Sequence, residues 1–212
     1  MSAEAAQYSQ CEEQINIWSH FIGLLLACAG LVMLVLKSYS LSYVALISAV
    51  IFGFSMVLLF LASTLYHRAT NPGVRARLRV LDHCAIFVFI AGTYTPFTLL
   101  ILPAATGWWI FGISWALATI GITLKLFFTG RFKLLSTGVY LFMGWLIVFV
   151  GKTLLENLSS QGFVWLAAGG VVYTVGALLY SFKRLAYTHA AFHIMVMIGG
   201  GCHYYAIYQH VL

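Results

Sequence analysis

LSYVALISAVIFGFSMVLLFLASTLY, residues 41–66, runs without a charged side chain and ends against His67. Crossing the hydrocarbon core of a bilayer takes roughly 20 apolar residues of helix, and this stretch is long enough. It has none of the alternation of a barrel strand, and lipid offers no partner to the open backbone of an isolated one, so it reads as a helix. Six more runs of the same kind flank it: Ile17–Leu36, Val80–Leu102, Trp108–Phe128, Leu134–Gly151, Phe163–Phe182 and His189–Gln209. Together they take up nearly the whole chain of 212 residues, 62% of them apolar and 8% charged. Ordinary soluble domains are about 45–50% apolar and about 25% charged. The expected fold is all-α and membrane-embedded, with seven transmembrane helices in one domain over residues 17–209. A polar segment, 1–16, precedes it and a short tail, 210–212, follows.

Several function classes fall away at this stage. The opening residues MSAEAAQYSQCEEQIN lack the basic start and small-residue cleavage site of a signal peptide. The first helix is therefore expected to stay as an uncleaved anchor. Cys11, Cys28, Cys84 and Cys202 form no paired spacing and read as packing residues. The net charge of +6 does not imply a nucleic-acid partner here. In so apolar a chain it reads as loops facing the cytoplasm and anionic headgroups. Pro72 and Pro103 fall in breaks, Pro96 is a candidate kink near the end of the third run, and the glycines of the last two runs read as close helix packing.

Basic residues give the orientation. The breaks after the second, fourth and sixth runs hold Arg68, Arg75, Arg77, Arg79, Lys125, Arg131, Lys133, Lys183 and Arg184. The alternate breaks hold only Lys37 and Lys152. The positive-inside rule then places the N-terminus in the cytoplasm and the C-terminus outside, in a multi-pass protein of the plasma (inner) membrane.

In that topology His20, His67, Asp82, His83, His189 and His193 all fall toward the cytoplasmic face. His189 and His193 are four residues apart, share one helix face and can grip one ion. His67 is the natural third ligand, and three imidazoles with one position open to water make a catalytic type of zinc site. Imidazole donors favour zinc over magnesium. Asp82 can either touch the metal directly or hold its water as a general base. Ser63, one turn deeper than His67, can bond a group behind the ligands or a polarised carbonyl of the substrate. His20, His83, His203 and His210 carry no assignment from spacing alone.

These residues resemble the motifs of the progestin and adipoQ receptor superfamily. Glu13-Gln14-Ile15-Asn16-Ile17-Trp18-Ser19-His20 is similar to its E-x-x-N-x-x-x-H opening, and Ser63-Thr64-Leu65-Tyr66-His67 to its S-x-x-x-H motif. Asp82-His83 matches the aspartate at the start of the third helix, and His189-Ala190-Ala191-Phe192-His193 the H-x-x-x-H motif, with His203 deeper in the same helix. The short loops and Ala91-Gly92-Thr93-Tyr94-Thr95-Pro96-Phe97 look like the bacterial haemolysin III branch. The resemblance implies a seven-helix fold with zinc on His67, His189 and His193, Asp82 on its water and Ser63 beside it. Glu13, Asn16 and His20 take a supporting place at the cytoplasmic mouth.

Three functions compete. The first is a zinc-dependent, ceramidase-like hydrolase of an amide or ester bond in a membrane lipid, serving membrane lipid homeostasis. The second is a non-catalytic sensor or regulator, in which zinc is structural and ligand binding or lipid state shifts the helices. The third, a cytolytic pore, fits poorly, because pores need a polar or charged lining and these helices carry little charge on any face.

Overall fold

The computed structural model of the chain describes residues 8–128, 133–181 and 186–212. Among them all regular structure is helical, and seven segments are long and apolar enough to cross a membrane. The first four are α1 (Gln10–Ser38), α2 (Tyr43–Arg68), α3 (Pro72–Leu100) and α4 (Ala104–Phe128). The fifth consists of α5 (Lys133–Gly144), a 3-10 stretch (Leu146–Val150) and α6 (Gly151–Asn157), and the last two are α7 (Ser160–Ser181) and α8 (Thr188–His210). Residues 1–7, Arg131, Phe182, Lys183 and Arg184, which entered the sequence reading, lie outside the described residues.

Two helices begin well before their apolar runs, because capping chemistry sets the start of a helix and hydropathy does not. The Ser9 side chain accepts from the Glu12 N–H at 3.2 Å, which starts α1 at Gln10 and winds Glu13 and Asn16 into its first turns. The Asn71 side chain accepts from the N–H groups of Gly73 and Val74, with Pro72 in the first turn. Asp82 therefore lies about three turns inside α3 rather than at its opening.

Along α1 the packing is inverted relative to an amphipathic helix of a soluble bundle. The buried face of α1 is a stripe at helical spacing, Glu12, Asn16, His20, Gly23, Ala27, Gly30, Leu34 and Ser38, while Trp18, Leu25, Leu26 and Leu36 face outward. Small and polar side chains lie within, and large apolar ones meet lipid. Adjacent helices from α1 to α4 pack in sequence, α7 packs along α8, and α8 returns against α1. At the α2–α3 seam a Cβ on Gly92 would come within 2.3 Å of the Ser55 hydroxyl oxygen, so only glycine allows this approach.

The fifth span departs from the single uninterrupted run expected over Leu134–Gly151. Its helix stops at Gly144 and resumes at Gly151, and the span continues to Asn157. A break at membrane depth frees backbone groups that lipid cannot satisfy. Tyr94, from α3, meets that need with one hydroxyl, which donates to the Gly144 carbonyl at 3.0 Å and accepts from the Ile147 N–H at 2.9 Å. The Trp145 indole donates to the Thr174 hydroxyl at 3.0 Å. Between α3, α5, α7 and α8 this arrangement leaves a cavity of about 330 Å³.

Candidate metal centre

Antiparallel connection brings the start of α1, the end of α2 and the starts of α3 and α8 to one end of the bundle. His67 from α2 and His189 and His193 from α8 converge there, all buried. Their ligand atoms lie within 4.8 Å of one another. The His189 Nε2 is 3.2 Å from the His67 Nε2 and 3.0 Å from the His193 Nε2. In a tetrahedral site with Zn–N bonds of about 2.05 Å the nitrogens stand about 3.3 Å apart. The three imidazoles could therefore hold a metal ion with little movement. With all three nitrogens unprotonated their lone pairs repel one another, and a cation between them would turn that repulsion into ligation.

The His67 ring is set for this task by its other nitrogen. Its Nδ1 donates to Glu13 Oε2 at 2.7 Å, which leaves the Nε2 lone pair free for an ion. Arg75 in turn pairs with Glu13 Oε1. The same guanidinium donates to the carbonyls of His67 and Ala69 at 3.3 and 3.2 Å, tying off the end of α2. The other two ligands pack against rings. The Tyr8 ring lies flat on His189, centroids 4.5 Å apart and 5° between planes. Burial raises the Tyr8 phenol well above its ordinary pKa, so it stays neutral. The His20 ring lies 3.9 Å from that of His193, with its Nε2 3.4 Å from the His193 carbonyl.

The residues named from sequence divide into two sets. The converging ligand group among the described residues consists of the three histidines and does not include Asp82. Asp82 and Ser63 line the adjoining cavity beside His189 and His193. Ser63 lies next to the Asp82 carboxylate, although its hydroxyl meets no partner in hydrogen-bonding geometry among the described residues. Glu13 touches a ligand directly, His20 packs on one, and Asn16 is buried with neither side-chain atom bonded among the described residues. Sequence reasoning missed Arg75 and Tyr8. Arg75 has a signal, since it lies eight residues beyond His67 across a short turn, but by composition alone it reads as one of several loop charges.

Comparison with known proteins gives the family of the chain. Residues 8–204 fit the family model described as Haemolysin-III related. The chain is 40% identical over 202 residues to Hemolysin-3 of Bacillus cereus, covering 95% of this chain and 92% of that protein. It is 42% identical over 198 residues to the Hemolysin-3 homolog of Bacillus subtilis (strain 168), covering 92% of each. The human Monocyte to macrophage differentiation factor is 29% identical over 177 residues, 78% of this chain and 71% of the relative.

Proposed function

This chain belongs to the haemolysin III-related family, a branch of the progestin and adipoQ receptor superfamily, and from that premise we propose that it is a zinc-dependent hydrolase of an amide or ester bond in a membrane lipid. One observation carries the reading: three converging imidazoles adjoin a cavity that also presents a carboxylate and a hydroxyl. Zinc, when bound, supplies a Lewis acid that polarises a carbonyl and brings the pKa of water toward ~7. His67, His189 and His193 hold it, with Glu13 keeping His67 in the ligating tautomer. Asp82 takes the proton of the attacking water and passes it to the leaving amine or alcohol. Ser63 donates to the carbonyl oxygen as charge develops there. Beyond Asp82 the cavity walls are largely apolar, with Phe97, Phe163 and Leu166 among them, which suits a lipid chain and favours this reading over a pore.

The site is proposed to face the cytoplasm from the plasma (inner) membrane. Arg68, Arg75, Arg77 and Arg79 lie at its end of the bundle, and Lys37 and Lys152 at the other. A second reading, a lipid sensor without turnover, draws on the fifth span, whose helix is interrupted after Gly144 where it lines the cavity. Metal-loaded protein should cleave an amide or ester in a panel of membrane lipids, while Asp82→Ala keeps its zinc and loses turnover. Full zinc in His67→Ala would sink the ligand set. Full zinc in the native protein with no cleavage across the panel would sink the hydrolase and leave the sensor.

A further inference from the structure

Deep in the cavity lies a histidine for which the proposed chemistry has no use. His203 follows His193 by ten residues on α8, about 15 Å farther along the helix. It is buried, 8% exposed, and lines the same cavity. Its Nε2 lies 3.1 Å from the Leu166 carbonyl of α7. A carbonyl can only accept, so in the neutral ring Nε2 carries the hydrogen and Nδ1 is left as an acceptor. That Nδ1 is buried and has no hydrogen-bond partner among the described residues.

The surroundings are shaped around this ring. A Cβ on Gly169 would fall 2.2 Å from its Cδ2 and 2.3 Å from its Nε2, so glycine opens the slot that the imidazole fills. Tyr173 stands edge-on to the ring with centroids 5.2 Å apart, and its hydroxyl is also buried and unpartnered among the described residues. Tyr173 lines the cavity as well. Buried polar groups are normally paired, and an ionisable side chain at membrane depth marks function by default. A site offering an acceptor beside a phenol, within apolar walls, fits a hydroxyl group.

We propose that His203 and Tyr173 form a second polar subsite of the cavity, which binds a hydroxyl carried on the chain of an acyl lipid whose head lies at the histidine cluster. The roughly 15 Å between the two poles is about the length of a dozen methylene groups, so the matching ligand is an acyl chain hydroxylated near its middle. This inference rests on the reading of the cavity as a lipid site, and it does not require turnover.

Binding to the purified, zinc-loaded protein separates the possibilities. Three probes compete with labelled stearate: stearate itself, stearate hydroxylated at its twelfth carbon, and stearate hydroxylated at its third. The twelfth-carbon isomer should bind about three- to tenfold more tightly than stearate, the worth of one net hydrogen bond, and the third-carbon isomer should gain nothing. His203→Leu should erase the preference while leaving stearate affinity unchanged, which also shows that the variant is folded. Gly169→Ala, which displaces the ring without removing it, should erase the preference too. Stearate binding with no preference for the twelfth-carbon isomer would overturn the subsite alone. Equal loss of both ligands in a folded His203→Leu protein would also overturn it, making the imidazole a link between α7 and α8 only. Failure of stearate to bind at all would overturn the lipid cavity and the subsite with it.

Discussion

At the histidine end of the bundle each candidate metal ligand has a neighbour against it, whereas the break in the far wall of the cavity is joined by one hydroxyl and one indole. Glu13 holds His67, Tyr8 lies on His189 and His20 lies on His193. The fifth span, by contrast, is broken over residues 145–150 and has its free backbone groups joined by Tyr94. The difference separates two tasks. Unbroken helices α2 and α8 carry the three histidines that could hold an ion. The opposite wall is a helix in pieces, which under the proposed function would border the lipid chain.

Removing the centre of the histidine cluster should have the largest effect. His189 Nε2 is the atom within 3.2 Å of both other ligands, so His189→Ala leaves two imidazoles where the proposed site needs three. Metal analysis of the purified protein should find most of the zinc gone and turnover abolished, with thermal stability of the bundle little changed. Asp82→Asn tests the next level. It removes the proposed base without touching the ligands, so zinc should stay while turnover falls by about 10²–10⁴-fold. Loss of zinc from this variant would move Asp82 into the ligand set.

How far the sequence revealed these regions follows from the kind of signal each leaves. Seven spans were legible because lipid demands long apolar runs. His189 and His193 were legible because a spacing of four is one helical turn, and His67 because antiparallel spans return it to the same end. Helices α1 and α3 start seven and eight residues before their apolar runs, since apolar runs mark the lipid boundary while Ser9, Asn71 and Pro72 mark the helix ends. The break in the fifth span was invisible to hydropathy. Leu146, Ile147, Val148, Phe149 and Val150 are as apolar as any helix interior, and the cause of the break's tolerance, Tyr94, lies about fifty residues away. Pairings of that kind, like Tyr8 on His189, are products of the fold and leave no local trace.

Glu13→Gln probes how much the neighbours at the histidine end matter. The amide can still accept from His67 Nδ1 but lacks the charge that strengthens the ring as a donor and that pairs with Arg75. Zinc affinity measured by chelator competition should drop about 10–100-fold, the usual cost of altering a carboxylate behind a ligating histidine. Native affinity in the variant would mean that the ligands are held by helix packing alone, and the contrast between the two regions would narrow.

The smallest expected effect tests the broken span. Tyr94→Phe keeps the ring and removes the hydroxyl, so the Gly144 carbonyl and the Ile147 N–H lose their shared partner at a depth where water does not replace it. The cost is about 1–3 kcal/mol for the groups left unpaired, and it falls on the fifth span alone. Hydrogen exchange should accelerate at Ile147 and its neighbours while α1, α2 and α8 exchange as before, and zinc content should not change. Because Tyr94 also lines the cavity, a bound acyl chain would press on the same wall and slow that exchange in the native protein. Unchanged exchange at Ile147 in the variant would show that Trp145, through its bond to Thr174, is enough to hold the break, and the weak point would then lie at the α7 contact instead of at α3.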